Sequence, residues 1–287
     1  MPDYPPHLSK PTAEVFVPDG RSVDEALALV THMAIVAHPD DIEVMAMEGV
    51  LACFDDPAKG FLGVVVTDGS GSARAGIYAD YTDDQMKTVR RVEQMKAAFL
   101  GEYSAQAFLD HPSSVVKNPA DVAPVEDLKQ LLLAANPEVV YIHNLADKHP
   151  THVAVALRSL AAIRAMPKDR RPKRVVGCEV WRDLDWMVDS DKVVFRLDGH
   201  ENLAAALIGV FDSQIAGGKR YDLATVGRRR ANATYHESHA VDASHMVNFG
   251  MDLTPLAHDE SMTIAEYVLG YIDRLREEVS ANLQKFS

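Results

Sequence analysis

The sequence of 287 residues contains little cysteine, and this scarcity excludes several kinds of site. Cys53 and Cys178 are the only two cysteines. Two are too few for a disulfide framework or for a zinc site built from thiolates. A reducing compartment is therefore expected, and we predict a cytoplasmic location.

Positive charge is also scarce. Lys and Arg together number 29, against 42 Asp and Glu, and the formal net charge is −13. Such an acidic chain is poorly suited to a nucleic-acid backbone, because phosphate contacts require an excess of cationic side chains. We therefore expect no nucleic-acid partner.

Long apolar stretches are missing as well. No stretch reaches the roughly 18 uninterrupted apolar residues of a membrane-spanning helix. Residues 1–6 lack the charged and apolar regions that begin a secretory signal. We expect neither a membrane span nor a secretory signal, and the sequence leaves the oligomeric state open, with a homo-oligomer as one outcome.

What the sequence does contain is an alternation of apolar runs and helical patterns. The apolar runs predict buried strands at Met33–Ala37, Phe61–Thr67, Ala105–Leu109, Glu138–Ile142, Val175–Trp181 and Val193–Leu197. Apolar residues at helical spacing predict helices at Ile42–Phe54, Gln85–Leu100, Val122–Ala135, Val153–Ala165, Glu201–Ile215, Tyr221–Ala233 and Thr263–Gln284. This alternation predicts an α/β fold with a doubly wound, mainly parallel sheet.

The length of the chain suits one elaborated domain better than two. Residues 1–32 begin with a segment rich in proline and polar residues, which predicts an N-terminal arm, and Ser22 is a candidate helix start within it. We predict a single domain over residues 33–287, with a C-terminal elaboration from about residue 216.

A cluster of polar side chains follows the first predicted strand. His38, Pro39, Asp40 and Asp41 come directly after Met33–Ala37. Pro39 ends the strand because it fixes its own φ and favours an extended conformation at the preceding residue. Either aspartate can then be the N-cap of the next helix. Open α/β sheets bind ligands at the carboxyl ends of their strands, so this cluster is a candidate functional site.

A second polar cluster, with His149 and His152, follows the fourth predicted strand. If both strands lie in one parallel sheet, these imidazoles share a crevice with His38 and Asp41. Two histidines and a carboxylate with an open position are typical of hydrolytic zinc sites, and Fe²⁺ suits the same ligands. Asp40 is left over as a proton acceptor.

Each cluster also has an ordinary interpretation by itself. His-Pro-Asp-Asp is a common helix start, and a histidine at the beginning of a helix is often merely solvated. Only the coincidence of both clusters at strand ends predicts a metal site.

The same residues carry a resemblance to a known family. Ala37–Glu43 resembles the AHPDDxE signature of the PIG-L/LmbE family of zinc-dependent N-deacetylases, and His149–His152 resembles the family's second motif, usually written HPDH. Further similarity lies at Thr67–Gly69, at Arg90–Glu93 and, more weakly, at Asp212–Gln214. The resemblance spans roughly residues 33–215.

The resemblance implies a Rossmann-like three-layer α/β/α core and a zinc-dependent hydrolase that removes an N-acetyl group from an N-acetylglucosamine-type conjugate. The partner it implies is therefore a small amino-sugar or amide substrate. It also implies His38, Asp41 and His152 as the zinc ligands and Asp40 as the general base.

Three further roles follow from the resemblance. His149 matches a histidine that stabilises the oxyanion or protonates the leaving amine. Arg90 matches an arginine that holds substrate hydroxyls, and Asp68 is a second candidate for substrate binding.

The chain departs from the family pattern at three positions. Thr151 stands where aspartate is usual, but that residue is not a ligand, so zinc binding is expected to survive. Ser70 stands where glutamate is common, which affects the usual sugar contacts. Asp147 stands where some members have a tyrosine that assists the oxyanion, so His149 acts alone or with another group such as His239. A surface or interface loop is the favoured interpretation of residues 237–239.

Two other functions remain open on the sequence. A zinc amidase that cleaves a larger amide conjugate would use the same site. A non-catalytic, nucleotide-binding Rossmann-like module would use Asp68–Ser72, although this loop lacks the GxGxxG spacing and the P-loop lysine. Trp181 and Trp186 could stack on a sugar ring, and core packing is predicted for at least one of them.

Overall fold

The computed structural model describes residues 6–287, and within them eight strands form a single sheet. The strands are β1 (Glu14–Phe16), β2 (Val30–Val36), β3 (Gly60–Thr67), β4 (Ala105–His111), β5 (Val139–His143), β6 (Arg174–Cys178), β7 (Lys192–Arg196) and β8 (Val247–Asp252). Their order across the sheet is β1-β4-β3-β2-β5-β6-β8-β7.

The centre of the sheet is parallel and its two margins are antiparallel. Strands β4, β3, β2, β5 and β6 pair in parallel, while β1 runs antiparallel to β4 at one margin. At the other margin β8 lies antiparallel to both β6 and β7. The predicted α/β fold with a mainly parallel sheet is therefore confirmed.

Twelve α-helices surround this sheet in the described part of the chain. They are α1 (Val23–Ala28), α2 (Asp41–Met45), α3 (Met47–Cys53), α4 (Asp83–Leu100), α5 (Ser113–Lys117), α6 (Ala123–Ala135), α7 (Pro150–Arg164), α8 (Glu201–Gly209), α9 (Asp212–Ile215), α10 (Tyr221–Tyr235), α11 (Thr254–His258) and α12 (Ile264–Phe286). Among residues 6–287, none of the helices combines the length and the hydrophobicity that a bilayer crossing requires.

The helices pack on both faces of the sheet, which gives two apolar cores. Along β2, Met33 and Ile35 belong to one core, whereas Ala34 and Val36 belong to the other. This division follows from the period of two in a strand, where successive side chains point to opposite faces. Because both faces of β2 are buried from Met33 onward, residues 33–36 form a continuous apolar run.

Residues 6–32 contribute regular structure. Ser22 begins α1 with a capping box, in which its side chain accepts from the Glu25 N–H and the Glu25 side chain accepts from the Ser22 N–H. This confirms the predicted helix start. Strand β1 was not predicted; it is short, and its pairing with β4 defines it. Residues 1–5, part of the predicted arm, lie outside the described residues, and the division into arm and domain stays a prediction.

Candidate active site and metal centre

The turn after β2 holds its two aspartates in different conformations. Asp41 is the first residue of α2, and Asp40 precedes it with φ 94° and ψ −29°, in the left-handed region. That conformation is uncommon for residues other than glycine, although aspartate and asparagine tolerate it best. Asp40 occupies the N-cap position but its side chain makes no capping hydrogen bond, so its carboxylate remains available for other contacts.

The neighbouring strand also places polar side chains at this edge of the sheet. Strand β5 pairs in parallel with β2, with Ile35 opposite Ile142, so the two strands end at the same edge of the sheet. After β5 the chain crosses to α7, where His149 is the N-cap and His152 lies in the first turn. The predicted convergence of the two clusters is therefore observed.

Three side chains form a compact set of potential metal ligands. His38 Nδ1 is 3.2 Å from Asp41 Oδ2 and 3.2 Å from His152 Nε2, and the third side of the triangle, from His152 Nε2 to Asp41 Oδ2, is 3.4 Å. Ligands about 2.0 Å from a tetrahedral zinc are separated by roughly 3.3 Å. The donor set and its spacing therefore fit a zinc ion, with one position left for a fourth ligand.

The electrostatics of this triangle favour an ionised aspartate. Burial alone would raise the pKa of Asp41, but the neighbouring His152, His38 and His143 lower it below the usual value. An ionised carboxylate is the form that a metal requires.

His143 is a buried neighbour of the triangle that sequence analysis did not single out. Its Nε2 is 3.6 Å from Asp41 Oδ2, and its ring stacks on His152 with 3.9 Å between the centroids. The same Nε2 accepts a hydrogen bond of 2.8 Å from the Ala37 N–H, which occupies its lone pair. Burial lowers the pKa of His143 well below its usual value, so it packs beside the triangle as a neutral ring. The sequence feature that could have identified His143 is its position as the last residue of β5, directly after an apolar run.

Asp147 orients the second motif. Its Oδ2 lies 3.4 Å from His152 Nδ1 and accepts the Trp181 N–H, while its Oδ1 accepts the His149 N–H at 2.9 Å. A carboxylate on the far nitrogen of a ligating histidine is a common feature of metal sites, since it fixes the tautomer and the ring orientation. The sequence analysis noted Asp147 only as the residue that stands where some family members have a tyrosine.

Asp40 lies next to the triangle and is almost fully buried. Its Oδ2 is 3.2 Å from Arg90 Nη2. Burial raises its pKa well above the usual value, and the charges of Asp41 and Glu43 add to this effect, although Arg90 opposes it. A carboxyl group with a raised pKa is suited to accepting a proton and later returning it.

A buried network beneath the turn holds Asp40 in its left-handed conformation. The Asp40 N–H donates to Gln94 Oε1 at 3.1 Å, and Gln94 Nε2 in turn donates to Glu43 Oε1 at 2.8 Å. The Tyr103 hydroxyl donates to the same Glu43 oxygen, also at 2.8 Å. Burial raises the pKa of Glu43 to about 7. The last glutamate of the first motif therefore acts on the site through Gln94.

The two predicted substrate-binding residues have different environments. Arg90 lines the cavity at the site, but its guanidinium also donates to the carbonyls of Gly69 and Pro39 and so joins two loops. Asp68 pairs with Lys87 at 3.0 Å and is not among the residues that line this cavity. The structure therefore brings Arg90 to the site but not Asp68.

The two further segments that resemble the family, Arg90–Glu93 and Asp212–Gln214, meet near the cavity. Glu93 accepts the Ser213 N–H at 2.7 Å and the Ser213 hydroxyl at 2.6 Å. Gln214 donates to the Ser213 hydroxyl and lines the cavity. Glu93 therefore fixes α9 against α4, which places Gln214 at the site.

The site opens into two adjoining cavities. The histidine-lined cavity has a volume of about 220 Å³ and is lined by His38, both aspartates, Arg90 and His149. The neighbouring cavity, which Lys148 and Arg228 also line, has a volume of about 290 Å³ and shares Asp40, Asp41, Trp181 and Tyr221 with the first. His239 is exposed and lines neither cavity.

The two tryptophans are used differently. The Trp181 ring lies roughly parallel to the His149 ring, with 6.2 Å between centroids, and forms a wall of both cavities. Trp186 packs against the apolar core, as predicted for at least one of the pair.

The region that contains both clusters matches a family model, described as PIG-L: GlcNAc-PI de-N-acetylase, over residues 33–163. Residues 33–163 are a PIG-L domain. The resemblance carried by the two motifs is thereby confirmed. A comparison with curated protein sequences finds no match to this chain.

Solved structures share the fold over a larger part of the chain than the PIG-L model covers. The conserved protein TT1542 from Thermus thermophilus superposes with a TM-score of 0.57 at 16% identity, covering 82% of this chain and 99% of its own. The N,N'-diacetylchitobiose deacetylase from Pyrococcus horikoshii has a TM-score of 0.61 at 12% identity, covering 86% and 92%.

A third neighbour has a different activity. GalB, the 4-carboxy-2-hydroxymuconate hydratase from Pseudomonas putida, has a TM-score of 0.58 at 16% identity and covers 78% of this chain and 96% of its own. Identities this low demonstrate a shared fold alone. Because the fold serves both deacetylases and a hydratase, the reaction of this chain must be argued from its own site.

Proposed function

We propose that this PIG-L protein is a metal-dependent N-deacetylase that removes an acetyl group from an N-acetylglucosamine-type amino sugar. The observation that carries the proposal is the triangle of His38, Asp41 and His152 donor atoms beside the buried carboxyl group of Asp40. The description of the matching family as a GlcNAc-PI de-N-acetylase supports it.

The metal would be held by His38, Asp41 and His152, with Asp147 orienting the last of these. Two imidazoles and one carboxylate suit Zn²⁺, and Fe²⁺ is the alternative with the same ligand preference. Zinc in such a site acts as a Lewis acid, which polarises a carbonyl group and lowers the pKa of a water molecule towards about 7.

The proton transfers are assigned to Asp40. Its raised pKa allows it to take a proton from the attacking water as the new C–O bond forms at the acetamide carbon. The same proton then passes to the amine nitrogen as the C–N bond breaks, which leaves acetate and a free amine. Arg90, 3.2 Å away, holds the Asp40 carboxylate in position throughout.

His149 is assigned to the oxyanion. Burial lowers its pKa to about 4, and the neighbouring His152 and His38 contribute to the shift. It is therefore neutral near pH 7 and acts as a hydrogen-bond donor, and proton delivery to the amine is left to Asp40. Its ring lines the cavity at the site, and its buried Nδ1 has no hydrogen-bond partner among the described residues.

The substrate ring is assigned to the aromatic wall of the cavities. Trp181 and Tyr221 line both of them and meet edge to face, with 6.3 Å between centroids. Aromatic side chains offer a large, flat apolar surface against which the apolar face of a sugar can pack.

A zinc amidase acting on a larger amide conjugate remains the second candidate. The neighbouring cavity of about 290 Å³ favours it, because this space adjoins the proposed acetamide position and can hold a bulky substituent. Both candidates use the same residues, and identification of the acid released, acetate or a larger acid, separates them.

Asp40→Asn is the direct test of the proposed mechanism. Asparagine tolerates the left-handed conformation as well as aspartate does, so the turn should keep its shape. We expect acetate release from N-acetylglucosamine substrates to fall by about 10²–10⁴-fold, the usual contribution of a general base, with the metal content unchanged. Asp183→Asn, at an exposed position, is the matched control. Undiminished acetate release in Asp40→Asn would overturn the proposed mechanism.

A further inference from the structure

We propose that copies of this chain associate head to tail, with residues 276–287 of one copy bound in an apolar groove beside α4 of the next. Residues 276–287 are called here the tip of α12, and the groove is called the α4 groove. The proposal goes beyond the deacetylase reaction, because neither surface shares a residue with the two cavities at the site.

The tip of α12 is a helical segment in which every residue is exposed. Val279, Leu283 and Phe286 nevertheless lie on one face of it, at the spacing i, i+4, i+7. The exposed fractions of Leu283 and Phe286 are 64% and 78%. A helical segment of about 12 residues is only marginally stable in water by itself. An apolar face along such a segment therefore indicates that a partner surface covers it.

The α4 groove is a second apolar surface, with a volume of about 420 Å³. Within it Val92 and Phe99 lie on one face of α4, and their exposed fractions are 45% and 66%. Large apolar side chains that are grouped on the surface are typical of interaction sites, whereas scattered ones are not. The apolar residues that line the groove are Phe16, Val92, Met95, Phe99, Leu100 and Val210.

The two surfaces match in length and in charge. Residues 92–99 and residues 279–286 each span about 10 Å of helix. Lys96 is the charged residue of the groove, and it forms no ion pair among residues 6–287. Glu278 lies beside the apolar face of the tip and likewise forms no ion pair within the described chain. A complex between tip and groove would bring these opposite charges together.

The tip cannot reach the α4 groove of its own chain. At the start of α12 the hydroxyls of Tyr267 and Tyr271 donate to the Asp252 carbonyl, at the end of β8, and both rings pack on one core. Phe16 of the groove lies on β1 and packs on the core at the opposite face of the sheet. Strands β1 and β8 are six positions apart, roughly 29 Å, whereas the tip is about 18 Å long. The groove must therefore receive the tip of a second copy.

Two other partners for the tip account for less of the structure. Pairing of two tips would cover both apolar faces of α12 but would leave the α4 groove open. A membrane surface binds helices whose polar face is rich in lysine and arginine. The tip instead carries two acidic and two basic residues, Glu277 and Glu278 against Arg276 and Lys285. A second copy, bound tip to groove, covers both surfaces and pairs Glu278 with a cation.

Two variants of the full chain test the proposal, because a head-to-tail assembly uses both surfaces of every copy. The tip variant is Leu283→Gln/Phe286→Gln. The groove variant is Val92→Gln/Phe99→Gln. All four positions are exposed, so both variants should fold. Sedimentation velocity over a range of protein concentrations measures the association. We expect the unaltered protein to form assemblies, and the dissociation constant to rise about tenfold or more in either variant, since buried apolar anchors dominate binding.

A mixture of the two variants separates tip-to-groove binding from pairing of two tips. The groove variant keeps an intact tip, and the tip variant keeps an intact groove. At a concentration where each variant alone is a single chain, we therefore expect the mixture to form a 1:1 complex. Val122→Gln/Leu157→Gln, a matched control at exposed apolar positions on other helices, should associate like the unaltered protein.

Three results would overturn the proposal. An unaltered protein that stays a single chain at every concentration would exclude self-association. Assembly of the unaltered protein without a complex in the mixture would mean that two tips pair with each other. Binding of a single chain to vesicles of phosphatidylserine and phosphatidylcholine, lost in the tip variant, would assign the tip to a membrane surface.

Discussion

Residues 33–163 and residues 164–287 contribute different kinds of group to the same site. The first region supplies the donor atoms of His38, Asp41 and His152 from the ends of adjacent parallel strands. The second region supplies much of the cavity wall, including Trp181 and Tyr221. Only the first region matches the PIG-L model.

The difference has a physical cause. The ends of neighbouring parallel strands must meet at one edge of the sheet, so side chains placed there converge with little freedom. The walls come from a loop and from α10, which approach the same edge over the antiparallel margin of the sheet. We infer that the parallel core determines the chemistry and the later region determines which substrate reaches it.

Substitution of a proposed metal ligand in residues 33–163 should have the largest effect on metal binding and on activity. In His38→Ala and in His152→Ala we expect the metal content to fall from about one equivalent to none and activity to be lost, because two ligands rarely retain zinc. Metal analysis by mass spectrometry measures this. His32→Ala, on β2 but at the opposite end of the strand, is the control and should retain its metal. Full metal content in both ligand variants would mean that the site lies elsewhere.

Removing the partner of a ligand should have a smaller effect. Asp147→Asn leaves the three ligands in place but weakens the orientation of His152, so we expect zinc affinity to fall by about 10–100-fold. Competition with a chromogenic chelator measures the affinity. Asp80→Asn, at an exposed loop position, is the control. An unchanged affinity would show that the 3.4 Å contact between Asp147 and His152 does not orient the ligand.

A change in the later region should alter substrate binding and spare the metal. Trp181→Ala removes the aromatic wall, and we expect KM for an N-acetyl sugar to rise about tenfold, equivalent to roughly 1.4 kcal/mol. The metal content should stay the same, and Trp181→Phe should restore most of the affinity. A fall in kcat with an unchanged KM would mean that Trp181 takes part in the chemical step. That result would contradict the inference that the later region acts through substrate binding.

Elements buried on both faces were the most predictable from sequence. The predicted strands Met33–Ala37 and Phe61–Thr67 correspond to β2 and β3, since parallel strands at the centre of a sheet are continuous apolar runs. Strands β1 and β8 were missed because β1 has only three residues and because Asn248 and Gly250 interrupt the apolar residues of β8. The predicted helix Ile42–Phe54 is interrupted at Ala46, which separates α2 from α3.

The candidate site was predictable to a similar extent. His38, Asp41 and His152 were named because histidine and aspartate followed apolar runs at two strand ends, and a family motif supported them. Their proximity is observed, while their roles as ligands stay a proposal. The orienting contact of Asp147 and the packing of His143 were not predictable, because both depend on distances across the site.

The sequence by itself determined the α/β alternation, the two polar clusters and the PIG-L motifs of residues 33–163, because these depend on the order and spacing of residues along the chain. Tertiary structure alone decided which distant residues form the cavity. Tyr221, Lys219 and Arg228 carry no local pattern that assigns them to this site, and they reach it through the packing of the later region against the sheet edge. The proposed metal ligands lie in motifs that are recognisable along the chain, whereas the walls of the cavities depend on packing between distant residues.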